Sequence, residues 1–151
     1  MKNAYLMEGI KMKKFKFNEI VIGQNAEYSR LITETDIQRF AEVSGDFNPV
    51  HMDEEFAKKS LFRGRIAHGL LSASFISTVL AKELPGPGSI YIRQELNFKR
   101  PVRIGDKIIA KVEVIGKDNK KKRIILKSIC LNQNDEIVID GQSVVMLPNE
   151  D

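Results

Sequence analysis

Hydrophobic and polar positions change period along this chain, and the changes divide it into elements. From Phe15 to Ile32 the apolar residues fall in short extended runs: Ile20-Val21-Ile22 ahead of a break at Gly23, then Ala26 to Ile32, predicting two strands. Thr33-Glu34-Thr35-Asp36 predicts a helix start, with Thr35 and Gln38 as a capping box and Ile37, Phe40 and Ala41 on one face. That helix is predicted to end at Ser44-Gly45. A second short helical pattern covers Asp53 to Ser60 with Phe56 as its anchor, and Leu61 to Arg65 predicts a bend. From Ile66 to Leu84 charge almost vanishes, with small residues (Ala67, Gly69, Ser72, Ala73) among large ones (Leu70, Leu71, Phe75, Ile76, Val79, Leu80). Apolar residues on every face predict a helix buried on all sides, and Pro85-Gly86-Pro87-Gly88 must stop it. Period two then takes over in Ser89–Phe98, Lys107–Gly116, Arg123–Leu131 and Glu136–Leu147. Ile108, Ala110, Val112 and Val114 alternate with Ile109, Lys111, Glu113 and Ile115, so one sheet face is apolar and can cover the helix while the other meets solvent.

Composition narrows this reading without redirecting it. A chain of 151 residues suits one domain, read here as 15–151 behind a basic, patternless extension at 1–14, in which Met12 is an alternative start. The long central helix needs more cover than one small sheet provides, so self-association is expected. The net charge of +4, from 24 basic and 20 acidic residues, is too mild and too evenly spread to indicate a nucleic-acid binder. The only basic run, Lys120-Lys121-Lys122-Arg123 beside Asp118 and Asn119, predicts a solvated hairpin turn, with an anion such as a phosphate as its alternative contact. Cys130, the sole cysteine, sits in a strand-like run and predicts a buried, inert thiol in a reducing compartment. No apolar stretch has the make-up of a signal peptide or a bilayer span, so a cytoplasmic protein with no membrane partner is expected.

The chemistry concentrates in Asp46-Phe47-Asn48-Pro49-Val50-His51. Pro49 lacks an N–H and disfavours the helical region for Asn48, which predicts a bent, non-helical connection that turns Asp46 and His51 toward one point. An imidazole titrates near neutral pH, and a carboxylate close to it can orient it or exchange protons itself, so the pair can manage one water molecule. His68-Gly69 opens the apolar helix. Unpaired N–H groups and the positive dipole end there favour an oxyanion, and Gly69 lets a substrate approach the backbone. His68 reads as a structural or capping residue more than as a second base. With only two histidines in the chain, a metal centre from Asp46, His51, His68 and Asp53 is not expected. The site serines lack a Gly-x-Ser-x-Gly setting, and Gly86-Pro87-Gly88 follows a helix where a dinucleotide loop needs a strand before it.

Asp46-Phe47-Asn48-Pro49-Val50-His51, Arg65-Ile66-Ala67-His68-Gly69, Gly88-Ser89-Ile90-Tyr91 and Phe98-Lys99-Arg100-Pro101-Val102, in this order, resemble the R-specific enoyl-CoA hydratases of the MaoC-like dehydratase group. The resemblance spans roughly Tyr28 to Leu147. It implies an α+β hot dog fold, a curved antiparallel sheet around a long central helix, in a homodimer or higher homo-oligomer with sites near the subunit interface. It also implies reversible syn addition of water to a trans-2-enoyl-CoA, giving the (R)-3-hydroxyacyl-CoA, without a cofactor. On the matching positions Asp46 and His51 are the catalytic pair, Gly69 offers its N–H to the thioester carbonyl, and Asn48 helps to position His51. Ser77 falls where such enzymes place a further serine; its other reading is a bond back to the helix backbone. Arg63 and Arg65, the nearest fixed positive charges, read as solvated or as contacts to CoA. Which of Asp46 and His51 is base and which is acid stays open. The competing functions are a dehydratase for 3-hydroxyacyl groups on acyl carrier protein, an acyl-CoA thioesterase, and a non-catalytic acyl-CoA-binding module.

Overall fold

The computed structural model describes residues 3–7 and 9–148. Among the described residues seven strands and four α-helices follow one another: β1 (Asn3–Met7), β2 (Ile10–Lys14), β3 (Asn25–Leu31), α1 (Glu34–Ser44), α2 (Pro49–Met52), α3 (Glu54–Lys59) and α4 (Gly69–Lys82). Then come β4 (Ile90–Phe98), β5 (Lys107–Asp118), β6 (Arg123–Leu131) and β7 (Ile137–Met146).

β3, β5, β6, β7 and β4 form, in that order, a five-stranded sheet in which all neighbours are antiparallel. The alternation along β5 is realised: Ile108, Ala110, Val112 and Val114 are buried, as are Ile124, Leu126 and Cys130 on β6. Register lines these residues up, Ala110 opposite Cys130 and Val114 opposite Leu126. They meet Leu71, Phe75, Ile76, Val79 and Leu80 of α4 in one apolar cluster. Each fully buried aliphatic chain there contributes roughly 1.5–3 kcal/mol. Register shifts between Val114 and Gly116 on β5 and between Tyr91 and Arg93 on β4 add local bend, which curls the sheet around the helix. Cys130 is buried in this cluster, and burial pushes its thiol up to about 12.

Several expectations change in detail. α4 is covered on one side only: Leu70, Ser74, Ser77 and Ala81 stay exposed, because a single sheet can reach only one face of a helix. The α1 cap is Thr33 with Asp36 instead of Thr35 with Gln38. Thr33 Oγ1 accepts the Asp36 N–H at 3.1 Å and the Thr33 N–H donates to the Asp36 carboxylate at 3.0 Å, a shorter acid that also pairs with Arg30. Phe56 does not anchor α3, being 52% exposed; the Asp53 cap on the Phe56 N–H sets the turn so that Ala57 points inward. Val21 and Ile22 are exposed and form no strand, and a 3₁₀ turn at Phe17–Glu19 precedes them. Residues 119–122 make the β5–β6 turn, where Asp118 Oδ1 accepts the N–H groups of Lys120 and Lys121.

Of the stretch read as a basic extension, residues 1, 2 and 8 lie outside the described residues, while β1 and β2 pair antiparallel. This hairpin is tied to the end of α4 by the Phe15 N–H on the Pro85 carbonyl at 3.0 Å and by Lys13 to Glu83 at 2.9 Å. Among the described residues no helix is long and apolar enough to cross a membrane.

Candidate active site

α1 ends at Gly45, whose left-handed φ of 78° turns the chain out of the helix and delivers Asp46. The bend expected through His51 is confined to Asp46–Asn48. Pro49 occupies the first position of α2, where its missing N–H costs nothing. Asn48 caps this turn, its side-chain oxygen accepting the Val50 N–H at 3.2 Å, and Asp46 Oδ1 accepts the Asn48 N–H at 3.1 Å. Asn48 therefore fixes the helical turn that carries His51.

His51 is buried, with Nδ1 2.9 Å from the Ile66 carbonyl. A ring nitrogen facing a carbonyl must carry hydrogen, which leaves Nε2 with a free lone pair. His68 stacks on His51 at 4.0 Å between ring centroids, and its Nε2 lies 2.9 Å from the Asp46 carbonyl. Burial lowers the His51 pKa; the Ile66 carbonyl opposes this, the His68 charge adds to it, and Asp46 and Arg65 act up and down respectively. Arg65 is half-buried: Nε donates to the His51 carbonyl at 2.6 Å and the guanidinium takes both Glu34 oxygens at 2.8 and 2.9 Å. It braces the site from behind and is not a solvated charge.

Asp46, His51 and His68 each offer a ligand atom, all within 4.8 Å of one another. The two imidazole planes lie 34° apart in a stack, so their in-plane lone pairs run alongside each other rather than meeting at one point, and the trio is a poor cradle for a cation. Asp53 lies apart from this trio in function: it caps α3.

Gly69 opens α4, with no side-chain cap from His68. A cavity of about 210 Å³ beside it is lined by His51, Gly69, Ser72, Phe98, Lys99 and Arg100 among others. A Cβ on Gly69 would come within 2.6 Å of the Phe98 ring, so only glycine keeps this approach open. Asp46 is exposed at the rim, next to His51 but outside the lining. Ser77 lies on the outward face of α4, away from the cavity, whereas Ser72 lines it with a buried, unpartnered hydroxyl. Arg63 is exposed and likewise not in the lining. The positive charges that do line it are Lys99 and Arg100, each about half exposed, in a segment that sequence reading used only as part of the resemblance.

The MaoC-like domain family profile matches residues 16–129. The (R)-specific enoyl-CoA hydratase of Rhodospirillum rubrum is 47% identical over 132 residues, covering 87% of this chain and 91% of that one. The 3-hydroxybutyryl-CoA dehydratase of Methylorubrum extorquens is 43% identical, covering 89% and 85%. Among solved structures, the unliganded R-hydratase PhaJ1 of Pseudomonas aeruginosa superposes with a TM-score of 0.83 at 46% identity, covering 89% of this chain and 86% of that one. The architecture shared with that solved structure, the sheet and central helix described above, is the hot dog fold.

Proposed function

We propose, on the premise that this chain belongs to the MaoC-like dehydratase family, that it is a hydro-lyase, an (R)-specific enoyl-CoA hydratase that adds water reversibly to trans-2-enoyl-CoA. The observation that carries this reading is the free Nε2 of a buried His51 beside the Asp46 carboxylate, next to the cavity that Gly69 opens.

A water held between Asp46 and His51 gives a proton to His51 Nε2 while its oxygen bonds to C3 of the enoyl group. The π electrons of the C2–C3 bond move onto the thioester oxygen, where the Gly69 N–H and the positive end of α4 stabilise the charge. The enolate collapses as C2 takes the proton back from the His51 imidazolium. Oxygen and proton arrive from one side because one residue handles both, so addition is syn and the overall change is one water added. Asp46 orients the water and supports the imidazolium. His51 is cast as the base because its Nδ1 is committed as a donor and burial holds it low. No cofactor or metal enters the scheme.

Lys99 and Arg100 at the cavity wall suit the CoA phosphates better than Arg63 and Arg65 do. The uncharged outer face of α4 and the exposed apolar residues of the edge strand β4 (Ile90, Tyr91, Ile92) support a homodimer that covers them. The single buried cysteine suits the cytoplasm.

Purified protein given crotonyl-CoA should bleach the enoyl-thioester band and yield (R)-3-hydroxybutyryl-CoA. Turnover restricted to carrier-protein thioesters would make it a dehydratase of that class, and free CoA would make it a thioesterase.

A further inference from the structure

His68 has no part in the scheme above, yet it is 2% exposed, its Nδ1 has no hydrogen-bond partner, and it touches both catalytic groups. The contacts are reciprocal. His51, on α2, donates from Nδ1 to the carbonyl of Ile66 on the approach to α4. His68, at the start of α4, donates from Nε2 back to the carbonyl of Asp46 on the approach to α2. The two rings stack between these bonds, and Phe40 of α1 packs against His68 at 4.9 Å. Each of the two segments is thus pinned by the other's imidazole.

We propose that His68 is a positioning residue for hydration, holding the Asp46 backbone and the His51 ring in register through this crossed pair of imidazole-to-carbonyl bonds. Three features point this way. An unpartnered buried nitrogen is a standing cost, retained where the ring does something else. The bond goes to the backbone of Asp46, whose exposed side chain has few other anchors than the Asn48 N–H. The bond from Nδ1 to the Ile66 carbonyl sets the orientation of the His51 ring, and the stacked His68 ring keeps it in that plane. The groups facing His51 are Asp46, His68 and Arg65; Asp46 raises the imidazole's basicity, while His68 and Arg65 lower it.

The inference rests on the catalytic roles given to Asp46 and His51, and a double-mutant cycle separates the two. His68→Leu fills the space without the donor; His68→Gln retains a donor at the position of Nε2 without the ring. In the otherwise wild-type protein His68→Leu should lower kcat about 10²-fold with KM changed little, as expected for a catalytic group displaced by about 1 Å. In the Asp46→Asn background the same change should cost about tenfold less than that, because one of the two groups it positions is already disabled. His68→Gln should recover most of kcat, because it keeps a donor to the Asp46 carbonyl. Equal losses in both backgrounds, or full activity of His68→Leu, would overturn the proposal. If His68→Leu does not fold, His68→Gln decides in its place: a kcat about tenfold or more below wild type, although the donor to the Asp46 carbonyl is kept, overturns the proposal equally. Near-normal activity of Asp46→Asn alone would instead overturn the catalytic reading.

Discussion

The catalytic rim and the core behind it hold their shapes by opposite means. In the core, Ile76 and Val79 meet Ile108, Val112 and Val114 through hydrocarbon contact alone, many weak contacts that share any disturbance. At the rim, Asp46, Asn48, His51 and His68 each depend on one or two directional bonds to backbone. Such an arrangement places reacting atoms closely but has no redundancy. Damage to the core should therefore appear as lost stability with chemistry intact, and damage to the rim as lost chemistry with stability intact.

The largest expected effect lies at the rim. Asp46→Asn, and His51→Asn with a donor kept toward the Ile66 carbonyl, should each lower kcat about 10³-fold with little change in melting temperature, read by initial rates and calorimetry. Ile76→Ala is the opposite case: its side chain is fully buried against the sheet, so denaturant unfolding should show about 2–5 kcal/mol lost, with the folded fraction turning over normally. Gly69→Ala tests the boundary between the two regions. Its methyl would collide with Phe98, and kcat/KM should drop about tenfold or more without the stability loss of the core variant.

The elements were legible because their periods are pure. β5 alternates cleanly and buries the four residues it should, and an uncharged run ending in Pro-Gly-Pro-Gly can only be a helix that stops. Asp46 lies beside His51, and His51 shares the cavity with Gly69, since Pro49 and the glycines dictate local turns. What sequence could not supply was direction. Arg65 looked like a surface charge, but Glu34, distant along the chain, draws it inward. Ser77 and Ser72 differ by little more than a turn, and only packing decides that Ser72 faces the cavity. His68 reads as a cap until its ring is seen to reach Asp46. Lys99 and Arg100 lie far along the sequence from the catalytic turn, and only the fold brings them to the same cavity as His51.

Two smaller effects sharpen the comparison. Because burial lowers the His51 pKa and a base works when unprotonated, activity should rise with pH through a limb below the ordinary imidazole value of about 6.5, measured as kcat/KM against pH. A limb above that value would mean the ring is not buried in the working enzyme. Lys99→Ala with Arg100→Ala should raise KM for CoA thioesters about three- to tenfold at unchanged kcat, an effect that shrinks as salt screens the phosphates.

The central claim is that Asp46 and His51 manage one water from one side of the double bond. Hydration of crotonyl-CoA in D₂O, followed by NMR assignment of C2 and C3, tests it most directly. Deuterium at C2 on the same face as the new C3 oxygen, in an (R) product, is the expected result. Anti addition, or deuterium spread over both C2 positions within a single turnover, would contradict it.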